Sequence, residues 1–191
     1  MSSRRVLLLP LAAVIILGLC VWKVRQPRRT SLGGELPEVR RPAPAFQLYD
    51  QDSHLVNLES FLHRHQIVLV FFDGAQGPAA SPVLNQLKQF HPALKREGVI
   101  VLGISTALPQ DIRNSPGQPW PFPLLSDVAA TDERSVHRTW GCFLPPPSLD
   151  RPAGTRPAVF VIDRSGLVSW KNERPQEEPH PEQLVRSVLN P

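Results

Sequence analysis

The sequence predicts an α/β fold, a three-layer sandwich around a mixed central sheet. Two runs of consecutive apolar residues, Ile67–Phe72 and Val99–Ile104, have the length of strands that are buried on both faces. The stretch between them repeats its apolar residues at helical spacing, which predicts a strand–helix–strand unit with parallel strands. A third run, Ala158–Ile162, precedes a turn at Gly166 and a strand over Leu167–Trp170, so a late antiparallel hairpin completes the sheet.

The helix between the first two strands is predicted over Ser81–Glu97. Ser81 is a good N-cap residue, Pro82 suits the first turn, and Gly98 ends the helix. Pro92 inside the helix predicts a kink. The apolar face of this helix consists of Val83, Leu84, Leu87, Phe90 and Leu94.

Shorter elements follow from local signals of turn chemistry and periodicity. Asp50 and Asp52 are typical turn residues between two short strands. In chain order, these elements are strands over Phe46–Tyr49 and Leu55–Leu58, a helical turn over Glu59–His65, a weak helix over Gln110–Asn114, an edge segment over Phe122–Ser126, a helix over Thr131–Trp140 and a terminal helix over His180–Leu189.

The chain divides into three parts by composition. Residues 1–25 are predicted to be an N-terminal membrane anchor and residues 26–42 a linker rich in Arg, Pro and Gly. Residues 43–191 are enough for one domain with a single core. The 22 prolines of the chain cluster in the expected loops of that domain, which argues against general disorder.

The anchor is the uncharged run Val6–Trp22, which has basic residues on both sides. As a helix it would be about 26 Å long, close to the ~30 Å of a bilayer core. A cleaved signal peptide is the alternative, but the residues around Cys20 lack the small side chains of a cleavage site. Leu19 is also too large for the usual lipoprotein pattern. We therefore expect an uncleaved, single-pass anchor.

The excess of positive charge is concentrated behind this anchor. The chain has a net charge of +4 and a pI near 9.6, to which Lys23, Arg25, Arg28 and Arg29 contribute strongly. These residues can contact anionic headgroups. No basic stripe is interleaved with aromatic residues, so we expect no nucleic-acid partner. The cluster favours a cytoplasmic domain, but large domains are also translocated against such a bias, so the side of the membrane stays open.

Four segments carry a resemblance to a known family. They are Ala43–Leu48, Val68–Phe72, Phe122–Asp127 and Val159–Val168. In this order and spacing, residues 42–190 resemble the redoxin group of the thioredoxin superfamily: peroxiredoxins of the AhpC/TSA type and membrane-tethered thioredoxin-like proteins. The resemblance implies a thioredoxin-like fold and an antioxidant thiol oxidoreductase, of the peroxidase or disulfide reductase type. It also favours an extracytoplasmic location for the domain.

The loop after the first central strand departs from that family. Peroxiredoxins carry Pro, Thr and Cys there and an Arg before the hairpin strand, because the thiolate is the nucleophile and neighbouring donors and positive charge stabilise it. On this pattern the four positions are occupied by Asp73, Gly77, Ala80 and Pro157. The resemblance therefore implies a degenerate site, without the reactive thiol.

A thioredoxin pattern, in which a Cys-Gly-Pro-Cys motif faces a cis-proline, gives a second alignment. On this pattern the motif becomes Gln76, Gly77, Pro78 and Ala79. Pro157 then takes the place of the facing proline, which predicts a cis bond between Arg156 and Pro157. Both alignments remove every thiol from the loop. Ser81 beside it is no substitute, because a hydroxyl without an activating base cannot be a redox centre.

Cys20 and Cys142 are the two cysteines of the chain. Cys142 has apolar neighbours, which favours a buried, inert thiol. The alternative is a relocated redox centre whose pKa would be lowered by His137 and Arg138 if they faced it.

No metal ion or other cofactor is expected. His54, His63 and His65 lack cysteine or acidic residues at ligand spacing, so we interpret them as solvated loop residues.

Three functions remain open from the sequence. The first is a non-catalytic, membrane-anchored redoxin that binds an extended partner segment in the thioredoxin groove. The second is a thiol-dependent oxidoreductase that uses Cys142. The third is a structural subunit of a membrane assembly.

Overall fold

The computed structural model describes residues 40–128, 133–145, 154–172, 174–175, 184 and 188. The predicted anchor Val6–Trp22, most of the predicted linker and most of the predicted terminal helix His180–Leu189 lie outside these residues. No helix of the described part is long and apolar enough to span a bilayer.

Apolar runs and turn residues produce ten strands and three α-helices in the described part of the chain. The strands are β1 (Arg41–Pro42), β2 (Gln47–Asp50), β3 (Leu55–Asn57), β4 (Gln66–Phe71), β5 (Val99–Ser105), β6 (Leu124–Ser126), β7 (Phe143–Leu144), β8 (Gly154–Thr155), β9 (Ala158–Ile162) and β10 (Leu167–Asn172). The helices are α1 (Pro82–Arg96), α2 (Pro109–Arg113) and α3 (Val136–Thr139), with 3-10 turns at Leu58–Ser60 and Pro78–Ala80.

Eight strands form one mixed sheet in the order β1-β10-β9-β4-β5-β6-β2-β3. Strands β4, β5 and β6 are parallel, whereas β9 pairs antiparallel with β4 and β10. The prediction that the three apolar runs lie together at the centre is therefore confirmed. The remaining pair, β7 and β8, forms a separate two-stranded sheet.

Apolar cores cover both faces of the sheet, as a three-layer fold requires. One core packs α1 on the sheet through Val83, Leu84, Leu87 and Leu94. The other contains Val136 at the start of α3 and Trp140 just after its end. Phe90, which the periodicity places on the apolar face of α1, is instead 37% exposed.

Several segments differ from the sequence predictions. The helix predicted over Thr131–Trp140 begins only at Val136 among the described residues, because Ser135 is its N-cap. The segment ending at Ser126 was expected at an edge, but β6 lies inside the sheet between β5 and β2. The neighbouring strands β5 and β2 provide backbone hydrogen-bond partners for the three residues of β6. Arg41–Pro42 was assigned to the linker but forms the edge strand next to β10. Proline is tolerated at such an edge because its missing N–H would face away from the sheet.

Asp163 caps the hairpin turn between β9 and β10. Its carboxylate accepts hydrogen bonds from the backbone N–H groups of Ser165 at 2.8 Å and Leu167 at 3.1 Å. Partial burial acts to raise the pKa of this carboxyl, but the hydrogen bonds from Ser165 and Leu167 outweigh it. The pKa of Asp163 therefore lies below its ordinary value of 3.8.

This depressed pKa predicts a pH dependence of stability. A carboxyl whose pKa is lowered by folding stabilises the protein above its unfolded pKa of ~4, and this contribution disappears as the pH falls through the folded value. We expect the melting temperature of Asp163→Asn to fall less steeply than that of the native chain as the pH drops below ~4. Thermal unfolding at a series of pH values measures this, and parallel curves would contradict it.

Candidate functional site

The candidate site is the loop between β4 and α1, where the backbone turns sharply. After β4, the Phe72 N–H still donates to the Ile104 carbonyl at 3.0 Å, and the chain then leaves the sheet. The Asp73 carboxylate accepts from the Ala75 N–H at 2.9 Å. The Asp73 carbonyl accepts from the Gly77 N–H at 3.1 Å. Gly77 has a φ of +77°, a left-handed conformation that favours glycine.

The second half of the loop is held by the start of α1. Ser81 is the N-cap, as predicted, and its Oγ accepts from the Leu84 N–H at 3.3 Å. The Asn85 side-chain amide donates to the Ala79 carbonyl at 2.8 Å. The Ser81 hydroxyl therefore acts as the cap of α1. This role agrees with the expectation that Ser81 is not a nucleophile.

The predicted loop residues surround one small cavity. Asp73, Gln76, Gly77, Ala80 and Pro157 all line it. Its volume of about 20 Å³ admits roughly one water molecule. Ala80, at the position of the missing thiol in the peroxiredoxin alignment, is exposed. Pro78 is buried and Ala79 half-buried, and neither is among the lining residues of the cavity.

The prediction of a cis bond at Pro157 is wrong. In the described part of the chain, the cis peptide bond joins Gln118 and Pro119. The Arg156 N–H donates to the Cys142 carbonyl at 2.8 Å, which extends the β7–β8 pairing up to Pro157. An extended chain with a trans bond continues directly from this pairing into β9. Pro157 faces the loop, as both alignments require, but the thioredoxin alignment loses its cis-proline.

Gly74 sets how closely the loop approaches the rest of the sheet. A Cβ atom at this position would lie 2.8 Å from the Ala107 backbone nitrogen. That distance is shorter than packed atoms tolerate, and backbone cannot move aside as a side chain can. Glycine is therefore required for the contact between this loop and the segment after β5.

We expect Gly74→Ala to lower the free energy of unfolding by about 1–3 kcal/mol, the range of overpacking substitutions. Denaturant titration of the purified chain measures it. Gly154→Ala is the matched control, because the nearest atom to its added Cβ would be 3.9 Å away. We expect this control to change stability by less than about 0.5 kcal/mol. An equal effect of the two substitutions would show that the close approach at Gly74 does not constrain the loop.

Cys142 is buried, with 1% of its surface exposed, as the first interpretation of this residue expected. That its thiol is inert stays a prediction. Its Sγ lies 3.7 Å from the Trp140 carbonyl oxygen. Of the two predicted neighbours, His137 Nδ1 lies 2.6 Å from Asp127 Oδ2, and the Arg138 guanidinium lies 3.8 Å from the centre of the Phe143 ring.

Asp127 and His137 form a buried pair that the sequence analysis missed. Their side chains are 4% and 0% exposed, and His137 Nδ1 lies 2.6 Å from Asp127 Oδ2. The His137 backbone N–H donates to the same oxygen at 2.8 Å. His137 Nε2 has no hydrogen-bond partner among the described residues, and the edge of the ring contacts Phe71. Ten residues separate the pair in sequence, so helical or strand periodicity gives no signal for it.

Asp50, Asp52 and His54 come together in the β2–β3 turn. The Asp50 carboxylate accepts from the N–H groups of Asp52 at 2.9 Å and His54 at 2.8 Å. These contacts are those of a polar turn, the interpretation given to Asp50 and Asp52 from the sequence. The expectation that His54 lacks acidic residues at ligand spacing is wrong, because its ring and the two carboxylates offer ligand atoms within 4.8 Å of one another.

Comparison with known proteins identifies the domain. A sequence model of the AhpC/TSA family matches residues 39–171. The chain belongs to the AhpC/TSA family. Alkyl hydroperoxide reductase E of Mycobacterium tuberculosis is 29% identical over 149 residues, which are 77% of this chain and 92% of that protein. Peroxiredoxin Bcp of Escherichia coli is 37% identical over 128 residues, 66% of this chain and 79% of Bcp. The resemblance inferred from the four sequence segments is thereby confirmed.

Solved structures support the same fold for this AhpC/TSA-family chain. Peroxidoxin BcpB of Mycobacterium tuberculosis matches with a TM-score of 0.62 and 20% identity, over 80% of this chain and 94% of that chain. A mutant of Xylella fastidiosa PrxQ matches with a TM-score of 0.65 and 16% identity, over 82% and 97%. At these identities the likeness shows the thioredoxin-like α/β fold, which confirms the predicted fold class of the domain.

Proposed function

We propose that this AhpC/TSA-family domain is a membrane-anchored redoxin that lacks the thiol chemistry of its relatives and binds a partner protein segment at the β4–α1 loop. The observation that carries the proposal is the composition of that loop. Residues 73–80 contain no cysteine, although this part of the chain has the fold and the strand–loop–helix junction of a redoxin.

No other group of the loop replaces a thiolate. The Ser81 Oγ is engaged by the Leu84 N–H, and the Asp73 carboxylate accepts from the Ala75 N–H. Neither histidine nor lysine occurs among residues 73–81, and the hydrogen bonds of the described residues join the Asp73 carboxylate to the Ala75 N–H and not to the Ser81 hydroxyl. The loop therefore shows no base paired with a hydroxyl. The chemistry left to this loop is recognition by shape and hydrogen bonding.

The groove beside the loop suits a small side chain of an extended segment. The exposed Gln76 amide can both donate and accept hydrogen bonds at its rim. Ala80 and Pro157 add apolar surface next to a cavity of about 20 Å³. Such a site accommodates a group the size of a methyl or a water, with the partner backbone lying across the rim.

The anchor is proposed from the sequence of Val6–Trp22 and its basic flanks. We expect the full chain to remain in the membrane fraction after a carbonate wash and to retain its N-terminus. Recovery of a soluble form that starts after residue 22 would contradict the anchor and leave the binding proposal untouched.

A second candidate is a thiol peroxidase or disulfide reductase that uses Cys142. The names of the relatives favour it, because Alkyl hydroperoxide reductase E and Peroxiredoxin Bcp are named for redox reactions. The burial of Cys142 argues against it, since a peroxide could reach the Sγ only if the surrounding structure opened.

An activity assay separates the two candidates. The full-length chain, carrying Cys20→Ser so that Cys142 is its one thiol and purified in detergent, is assayed with hydrogen peroxide, cumene hydroperoxide and insulin disulfides, with Peroxiredoxin Bcp as the positive control. We expect no turnover above the rate of buffer alone. Turnover that Cys142→Ser abolishes would establish the second candidate, and turnover that survives this substitution would defeat both.

Thiol titration adds a measurement that does not depend on turnover. In a Cys20→Ser chain, where Cys142 is the one remaining thiol, we expect Cys142 to react with an aromatic disulfide reagent only as fast as the protein unfolds. In Ala80→Cys, the new exposed thiol should react at least tenfold faster than Cys142. Cysteines at both Gln76 and Ala79 should give at most weak disulfide reduction, because the charge and donors that tune a catalytic thiolate are absent.

Site-specific cross-linking tests the binding itself. A photo-reactive residue at Ala80 should yield one discrete adduct in cells, whereas the same residue at exposed Glu97 should not. The proposal requires that a synthetic peptide of the captured segment binds the purified chain and competes with cross-linking at Ala80. Identical adducts at Ala80 and Glu97 would count against a groove partner.

A further inference from the structure

A second, larger cleft lies between β2 and α3. Its volume is about 270 Å³, and it shares no lining residue with the cavity beneath the β4–α1 loop. We call it the β2–α3 cleft. Its apolar wall is formed by Phe46 and Leu48 from the β2 side and by Val136 and Trp140 from the α3 side.

Two side chains of opposite charge line the same cleft. Asp127, just after β6, has a carboxylate that is 4% exposed, whereas Arg134 is exposed. The buried part of the cleft therefore carries an acidic group and its exposed part a basic group. Apolar walls with a few placed polar groups are typical of small-molecule sites.

One of the two oxygens of the Asp127 carboxylate is hydrogen-bonded within the described part of the protein. Oδ2 accepts the His137 backbone N–H and contacts His137 Nδ1, but no hydrogen bond of the described residues ends on Oδ1. Asp127 Oδ1 is not among the buried polar atoms that lack a partner in the described part of the chain, so solvent or a ligand group can reach it. A ligand ammonium group in the cleft would donate a charge-assisted hydrogen bond to this oxygen.

We infer that the β2–α3 cleft binds a small zwitterion, an α-amino acid with an apolar side chain. Its ammonium group contacts Asp127, its carboxylate lies towards Arg134, and its side chain packs on Phe46 and Trp140. The volume corresponds to roughly nine waters at ~30 Å³ each, the size of an amino acid such as leucine. This assignment is independent of the function proposed for the β4–α1 loop.

A charge-matched ligand series tests the inference by isothermal titration calorimetry on the full-length chain in detergent. Leucine carries both charges, 3-methylbutylamine only the ammonium group, and 4-methylpentanoate only the carboxylate. We expect leucine to bind at least tenfold more tightly than either analogue. Equal binding of 3-methylbutylamine would overturn the zwitterion assignment, and no binding of leucine would overturn the inference.

Substitutions locate the binding in the cleft. Asp127→Asn should weaken leucine binding at least tenfold, because it removes the charge that the ammonium contacts. Ala45→Trp should abolish binding by filling the mouth of the cleft, and it keeps the inference testable if Asp127→Asn does not fold, since Ala45 is exposed. Asp111→Asn, on exposed α2, is the charge control and should bind like the native chain. Native affinity in Ala45→Trp would place the binding elsewhere and refute the inference.

Discussion

Replacement of Phe71 by alanine is expected to lower the free energy of unfolding by about 3–5 kcal/mol, the range for a fully buried phenylalanine. Phe71 is 1% exposed at the end of β4. Its ring centroid lies 5.1 Å from that of His137, 5.7 Å from Phe160 and 6.2 Å from Trp140. Removing the ring therefore leaves a cavity that three rigid neighbours cannot fill.

Urea titration followed by circular dichroism measures the effect of Phe71→Ala. Phe90→Ala is the matched control, because Phe90 lies on α1 with 37% of its surface exposed. We expect the control to cost less than about 1 kcal/mol. A loss of similar size in both variants would mean that the aromatic cluster around Phe71 adds little to the core.

The second large effect is expected from Asp127→Leu, which removes the acceptor of the buried pair. The His137 backbone N–H and ring would then be buried without a partner, at a cost of about 1–3 kcal/mol for each unsatisfied group. The free energy of unfolding should therefore fall by about 2–6 kcal/mol in total. The same urea titration measures it.

Two further variants test the cause of that loss. Asp163→Leu removes another multiply hydrogen-bonded carboxylate, but in an exposed turn where water replaces it, so its cost should be about 1 kcal/mol. Adding His137→Leu to Asp127→Leu should recover part of the stability, because it removes the unsatisfied ring nitrogen. If the double variant were less stable than the sum of the two single losses, the pair would not act through mutual hydrogen bonding.

Continuous apolar runs made the centre of the sheet predictable. A strand buried on both faces needs an apolar side chain at nearly every position. The sequences of β4, β5 and β9 meet this requirement and are unsuited to a strand with one exposed face. The turn at Asp163 was predictable for a similar reason, since its carboxylate acts within four residues. Local hydrogen bonding leaves a signature in sequence.

Features that depend on distant segments could not be predicted. Arg41–Pro42 becomes a strand only because β10 offers its edge, and nothing in the two residues indicates it. The trans bond at Pro157 follows from the hydrogen bond between Arg156 and Cys142 across the gap between β7 and β8. Asp127 and His137 meet because β6 ends beside α3, a proximity that the fold creates.

At the candidate loop, the sequence predicted which residues gather but not their exposure. Gln76, Gly77, Ala80 and Pro157 line one cavity, whereas Pro78 and Ala79 of the predicted motif do not. That the cavity holds only about one water, and that Ala80 faces solvent, depends on how the Pro78–Ala80 turn joins α1. Capping geometry of this kind is set by packing against neighbouring segments, which no motif specifies.

The short pairing of β1 with β10 has a mechanical consequence. Arg41 and Pro42 pair with Val168 and Leu167, and the Ala43 N–H donates to the Gly166 carbonyl at 3.0 Å. Tension applied through the residues before Arg41 meets these few hydrogen bonds first, and it opens them one after another rather than together. Peeling β1 releases about 7 Å of slack at ~3.5 Å per residue, while the pairing of β10 with β9 stays in register. Under tension, β1 can therefore detach from β10 before the force reaches the central strands of the sheet.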